Sequence, residues 1–130
     1  MKGDIVIELD FVCPSDNHRN GWGRGRSFPK KEYTEFLGLM AQWWARNRGT
    51  KLLGYWEVRL EITWQDRRRR DANNLIKTVC DALERAGAFE DDKRTQGHID
   101  ATHYPGEGGR KTGMIITLRP AKAGTYPQEV

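Results

Sequence analysis

Residues 56–87, WEVRLEITWQDRRRRDANNLIKTVCDALERAG, contain the clearest strand and the clearest helix in the chain. The first part alternates apolar and polar residues, which predicts a strand with one face on a core and one polar face. Its apolar positions are Trp56, Val58, Leu60, Ile62 and Trp64. After Asp71, apolar residues recur every three or four positions, which predicts a helix that ends at Gly87.

Weaker patterns on both sides predict the remaining elements. We expect a strand over residues 5–11, a helix between Pro29 and Gly49, and strands over residues 95–102 and 114–118. The polar, glycine-rich residues 14–27 are predicted to form a loop, and residues 105–113 a hairpin loop. The order β-α-β-α-β-β predicts an α+β fold in two layers, a small mixed sheet with helices packed on one face. Residues 1–119 are expected to form a single domain, followed by a disordered tail over residues 120–130.

The chain carries an excess of positive charge. It has 130 residues and a formal net charge of +4, and 31% of its residues are charged. A basic surface favours a polyanionic partner, because lysines and arginines that neutralise phosphates release condensed counterions. A basic protein without such a partner can have the same composition, so the placement of the charges has to separate the two.

The cysteines and the N-terminus indicate an intracellular protein. Cys13 and Cys80 lack a metal-binding or redox spacing, and we expect reduced, partly buried thiols. The N-terminus has no signal-peptide pattern, and no stretch is long enough to span a bilayer. We therefore expect a cytoplasmic location.

Candidate metal ligands occur on both sides of the second helix. A divalent cation that assists phosphodiester hydrolysis needs hard oxygen ligands, usually carboxylates. Asp71 stands at the junction of strand and helix, and Asp91 and Asp92 follow the helix after a glycine turn. If the chain returns along the sheet, these acids meet at one edge and can bind a metal there.

Two groups of arginines are candidates for DNA contact. The first group, immediately before Asp71, is Arg67, Arg68, Arg69 and Arg70, and the second, in the loop over residues 14–27, is Arg19, Arg24 and Arg26. Arginine can bind phosphate in a bidentate manner. Most charge runs are nevertheless solvated surfaces, and that alternative stays open.

Lys77 has two alternative roles. Asp81 lies four residues later on the same helical face, where an ordinary salt bridge contributes about 0.3–0.5 kcal/mol. Alternatively, Lys77 points toward a scissile phosphate and stabilises the charge that develops there. Spacing alone favours the salt bridge.

The histidines and tryptophans are weaker candidates. His98 and His103 are too isolated to form a metal pair and are interpreted as ordinary polar or packing residues. Trp44, Trp56 and Trp64 fit core positions, which leaves Trp22, in the glycine-arginine loop, as the tryptophan to consider for DNA contact.

The motif RRRRDANNLIK over residues 67–77 resembles that of the RusA family of Holliday-junction resolvases, and so do the segments around it. These are Asp81-Ala82-Leu83, Gly87, Phe89-Glu90-Asp91-Asp92 and the Pro14-Ser15-x-Asn17 turn. The resemblance covers about residues 5–119. It implies a homodimeric crossover junction endodeoxyribonuclease that binds four-way DNA junctions and makes paired nicks with Mg²⁺ or Mn²⁺. It also suggests a role in DNA recombination or repair, in a bacterium or phage.

The resemblance assigns roles position by position. Asp71 and Asp92 match the family's metal-binding acids, Lys77 matches its catalytic lysine, and Asp91 is the adjacent acid. The family pattern at the helix start is Asp-x-Asp-Asn, whereas Asn73 stands here in place of the second acid. An amide oxygen can coordinate a hard cation but brings no charge. Asn73 is a tolerated variant, a deliberate substitution, or the mark of a lineage that lost cleavage.

Three hypotheses follow. The first is a RusA-like nuclease in which Asp71, Lys77 and Asp92 are catalytic and Asn73 and Asp91 assist in binding the metal. The second is a junction-binding protein without catalysis, which Asn73 motivates. The third is a protein-interaction domain whose charge runs are only solvated surfaces.

Overall fold

The computed structural model describes residues 3–14, 20–23, 26–29, 31–67, 72–90 and 95–121. In chain order these form β1 (Ile5–Leu9), β2 (Asn20–Gly23), β3 (Arg26–Pro29), α1 (Lys31–Asn47), β4 (Trp56–Thr63), α2 (Asn73–Arg85), β5 (Thr95–His103) and β6 (Gly113–Pro120). A short 3-10 turn, Glu107–Gly109, lies between the last two strands. Neither of the described helices is long and apolar enough to cross a membrane.

Four strands form one mixed sheet in the order β1-β6-β4-β5. β6 pairs antiparallel with both β1 and β4, and β4 pairs parallel with β5. Along β4, Val58, Leu60 and Ile62 are fully buried, whereas Glu57 and Arg59 point to the other face and stay partly exposed. The alternation in the sequence therefore distinguishes the core face of the sheet from its polar face.

Both helices contribute apolar stripes to a core against the sheet. From α1 the buried residues are Tyr33, Phe36, Met40 and Trp44, and the large ones from α2 are Leu75, Val79 and Leu83. Gly49 and Gly87, with φ of 70° and 85°, follow the two helices in the left-handed conformation common at helix ends. The predicted α+β fold, with helices on a mixed sheet, is confirmed.

The loop predicted over residues 14–27 is wrong in its second half. β2 and β3 form an antiparallel hairpin in which Trp22 lies opposite Ser27 and Gly21 opposite Phe28. Each strand has only four residues, and glycine in β2 weakens the local strand signal. Pairing between the two segments, rather than the propensity of either, produces this hairpin.

The prediction of a hairpin at residues 105–113 is also wrong. β5 and β6 are not neighbours, because β4 lies between them and pairs with both. The connection, which includes the 3-10 turn, therefore crosses one end of β4. The position of β6 on the side of β4 opposite to β5 requires this crossing, and local sequence patterns do not encode that strand order.

The buried side chains agree with expectation, whereas the predicted C-terminal tail differs at its start. Neither Cys13 nor Cys80 forms a disulfide, and both are buried. Trp44, Trp56 and Trp64 are buried as predicted. The predicted tail begins too early. β6 extends to Pro120, and the Ala121 N–H donates to the Tyr55 carbonyl at 3.0 Å. The rest of that prediction, residues 122–130, lies outside the described residues.

Candidate active site

The first turns of α2 lie directly against the start of β5. A Cβ atom added to Gly97 would lie 2.0 Å from Cγ2 of Ile76, so the absence of a side chain at Gly97 permits this approach. Ile76 is the fourth residue of α2, and Gly97 is the third residue of β5. The contact therefore joins the beginning of the helix to the beginning of the strand.

The predicted metal-binding acids lie near this contact along the chain. Asp71 precedes Ile76 by five residues, and Asp92 precedes Gly97 by five residues. Five residues of fully extended chain span at most about 17 Å. Asp71, Asp91 and Asp92 lie outside the described residues, so their convergence stays a prediction.

Asn73 is exposed at the start of α2. The first turn of the helix contains no acidic residue. Within the described part of the chain, no three His, Cys, Asp or Glu side chains group closely enough to hold a metal ion. A metal at this end of α2 therefore needs carboxylates from the neighbouring segments, with Asn73 able to add a neutral oxygen.

Lys77 does not form the expected salt bridge with Asp81. Instead, the Asp81 carboxylate accepts a hydrogen bond from the Tyr33 hydroxyl and lies 3.2 Å from Nε of Arg85. These partners, one from α1 and one from the next turn of α2, take the place predicted for Lys77. Lys77 is exposed and forms no hydrogen bond or ion pair with any other described residue. The salt bridge predicted from spacing is therefore wrong.

The beginning of the arginine run contacts an aromatic residue that the sequence analysis did not identify. The guanidinium carbon of Arg67 lies 4.9 Å from the centroid of the Tyr104 ring. The two residues are 37 positions apart, and only the pairing of β4 with β5 brings them together. The one available signal was an aromatic residue two positions after the strand predicted over residues 95–102. Arg68, Arg69 and Arg70 lie outside the described residues.

The second group of arginines is described only in part. Arg26 begins β3 opposite Gly23, which places its backbone in the hairpin. Arg19 and Arg24 lie outside the described residues. The predicted DNA contacts of this group stay predictions.

The two histidines of β5 lie on the polar face of the sheet. His103 Nε2 is 3.3 Å from a Glu61 oxygen, without hydrogen-bond alignment, and Nδ1 is 3.7 Å from a Glu107 oxygen. His98 pairs in register with Arg59. Both side chains are half-buried, and neither belongs to a metal-binding group among the described residues. These surroundings fit the ordinary polar role that was predicted.

Comparison with known proteins settles the family. A family model described as endodeoxyribonuclease RusA matches residues 11–119. The chain belongs to the RusA family. The match includes every candidate site residue from Arg19 to Asp92, and it confirms the resemblance seen in the motif. A search among curated proteins found no significant match. RusA proteins are Holliday-junction resolvases, and their nuclease activity generally depends on a divalent metal.

Proposed function

We propose that this RusA-family chain is a metal-dependent endonuclease that resolves four-way DNA junctions by paired nicks, acting as a homodimer. The contact between Ile76 and Gly97 carries the proposal. This contact joins α2, which follows Asp71 and contains Lys77, to β5, which follows Asp92. A two-fold dimer suits the task, since each protomer can then act on one of two opposed strands. We assign the activity to DNA recombination or repair.

The donor set fits a hard divalent cation. Asp71 and Asp92 would hold Mg²⁺ or Mn²⁺, with Asp91 and the Asn73 amide oxygen as auxiliary ligands, and all of these donors are oxygen atoms. Asn73 is exposed, and the first turn of α2 contains no acidic residue. Both observations support Asn73 as an auxiliary ligand, with the carboxylates supplied by the neighbouring segments. When bound, the cation supplies Lewis acidity at the phosphate and lowers the pKa of a coordinated water.

Lys77 would stabilise the negative charge that develops on the phosphate. Its exposed ammonium group makes no ion pair within the described residues, so none of these residues competes with a phosphate oxygen for it. The N-terminal end of α2 adds a favourable dipole for an anion. Both groups of arginines would hold the DNA backbone through bidentate contacts with phosphates. The first group is Arg67, Arg68, Arg69 and Arg70, and the second is Arg19, Arg24 and Arg26.

A matched pair of lysine substitutions tests the assignment. Lys77→Met and Lys51→Met each remove one exposed positive charge, but only the first changes the proposed site. In single-turnover cleavage of a labelled four-way junction with Mg²⁺ or Mn²⁺, we expect Lys77→Met to slow cleavage by about 10²–10³-fold. Lys51→Met should cleave at the wild-type rate, and a chelator should stop cleavage by every variant. An equal loss in both lysine variants would contradict the role of Lys77.

Asn73 favours a second candidate, a junction-binding protein without cleavage. Fewer carboxylates at the site weaken the attraction for a divalent cation. The native chain would then bind junctions in a salt-sensitive manner and make no nicks, and Asn73→Asp would gain metal-dependent cleavage. Paired, chelator-sensitive nicks by the native chain would eliminate this candidate. If neither the native chain nor Asn73→Asp cleaves with either metal, the proposed nuclease function is wrong.

A further inference from the structure

The ends of β4 and β5 bring Arg67 and Tyr104 together. The Trp64 N–H donates to the His103 carbonyl at 3.0 Å, which extends the pairing of the two strands by one residue. Tyr104 follows His103 directly, and Arg67 follows Trp64 by three residues. The contact between the two side chains is thus built on the backbone at one end of the sheet.

The Arg67 guanidinium group lies over the ring of Tyr104. The guanidinium carbon lies 4.9 Å from the ring centroid, within the range of a cation–π interaction. Arg67 is exposed and forms no ion pair with another described residue. Stacking over an aromatic face restricts the side chain while its N–H donors can still form a fork toward a phosphate.

Hydrogen bonds within the turn after β5 hold Tyr104 in place. The Tyr104 N–H donates to a Glu107 carboxylate oxygen at 3.2 Å, and the Glu107 N–H donates back to the Tyr104 carbonyl at 3.2 Å. The turn is tied to β4 because Arg110 donates to Glu61 at 2.6 Å. These bonds fix the backbone that carries the tyrosine ring, although 37% of the residue is exposed.

We propose that Tyr104 is a positioning residue that holds the Arg67 guanidinium ready to bind a DNA phosphate at the start of the arginine run. The inference rests on the proposed function, since it assumes that Arg67 contacts DNA. Tyr104 acts through Arg67 and makes no DNA contact of its own. Removal of the ring should therefore affect binding only while Arg67 is present.

The test combines a double-mutant cycle with a conservative variant. Junction binding is measured by fluorescence anisotropy, with chelator present to prevent cleavage, over a series of salt concentrations. The chains compared are wild type, Arg67→Ala, Tyr104→Leu, Tyr104→Phe, and the double variant Arg67→Ala/Tyr104→Leu. In the free protein, the NMR signal of the Arg67 Nε–H reports whether an aromatic ring lies beside it, independently of DNA.

We expect Tyr104→Leu to weaken binding by about two- to fivefold, the size of an exposed cation–π contact, and Tyr104→Phe to bind as wild type. Arg67→Ala should make the plot of log K against log salt less steep by about 0.9, the contribution of one phosphate contact to the slope. In that background, Tyr104→Leu should have no further effect. The Arg67 Nε–H signal should shift in Tyr104→Leu and stay in place in Tyr104→Phe.

The possible failures are distinguishable. If the wild-type chain binds no junction DNA, both the proposed function and this inference are wrong. If Arg67→Ala weakens binding but Tyr104→Leu does not, only the positioning role is wrong. An equal loss from Tyr104→Leu with and without Arg67 would also overturn it, because the tyrosine would then act independently of the arginine.

Discussion

Substitution of Gly97 by alanine would disturb the contact on which the proposed site depends. The new Cβ would lie 2.0 Å from Cγ2 of Ile76, whereas two carbon atoms pack best at about 3.5–4.0 Å. Ile76 must therefore retreat by roughly 1.5–2 Å. Overpacking of this kind costs about 1–3 kcal/mol, and the lower chain entropy of alanine in a strand offsets about 0.5–1 kcal/mol. The difference between these ranges is about 0–2.5 kcal/mol, and we expect the free energy of unfolding to fall by a value near its middle, about 1–2 kcal/mol.

Two variants of Ile76 separate this clash from other causes. Ile76→Ala removes the clashing Cγ2 atom, whereas Ile76→Val retains a γ-methyl in that place and serves as a matched control. In the Ile76→Ala background, Gly97→Ala should leave the free energy of unfolding almost unchanged. In the Ile76→Val background, it should still lower the free energy of unfolding by most of the amount seen in the wild-type chain. The measurement is urea unfolding followed by tryptophan fluorescence, since Trp56 and Trp64 are buried. Equal costs in the two backgrounds, or a neutral Gly97→Ala in the wild-type chain, would refute the clash.

The same substitution should slow cleavage beyond its effect on folding. Displacement of the first turns of α2 moves Lys77 relative to the segment before β5. A misplacement of about 1 Å can cost on the order of 10²-fold in rate. Single-turnover cleavage by Gly97→Ala, measured where the variant is fully folded, should therefore fall, and Gly97→Ala/Ile76→Ala should recover part of the loss. A wild-type rate for the single variant would show that the contact does not align the site.

Two further predictions concern residues outside the active site. Burial raises the pKa of the Cys13 thiol from 9.0 to about 12, so the folded chain keeps a proton that the unfolded chain releases above about pH 9. The contribution of this thiol to the free energy of unfolding is fully present below pH 9.0 and declines as pH rises toward about 12. In urea unfolding at increasing pH, Cys13→Ala should reduce this decline. An unchanged decline in the variant would contradict the prediction. Asp81→Asn, which weakens the contacts with Tyr33 and Arg85, should cost about 1–3 kcal/mol, and a double-mutant cycle should show coupling to Tyr33→Phe but none to Lys77→Met. A measured coupling between Asp81 and Lys77 would contradict this prediction, because it would show that the two side chains form the helix salt bridge in solution.

The family could be predicted from the sequence more fully than the contacts around the candidate site. The segment from Arg67 to Asp92 identified the family, and the match over residues 11–119 confirms it. The surroundings of Lys77 could not be predicted in the same way, because a lysine four residues before an aspartate is compatible with a salt bridge on any helix. Tyr33, which comes from the other helix and bonds to Asp81, could not be anticipated from that spacing. Tyr104 was missed because the residue that it contacts lies in a different part of the chain.

The sequence by itself determined the main strands, the two helices and the family, because each rests on a local pattern. A period of two along β4 and of three to four along α2 follow from backbone geometry and need no knowledge of neighbours. The tertiary structure alone decided that β4 lies between β5 and β6, that residues 20–29 include a hairpin, and that Ile76 meets Gly97. The strand order and the contact of Ile76 with Gly97 join segments far apart in the chain, and the hairpin depends on pairing between two short neighbouring segments. Such pairing is selected by burial and hydrogen bonding over the whole fold, which no local pattern records.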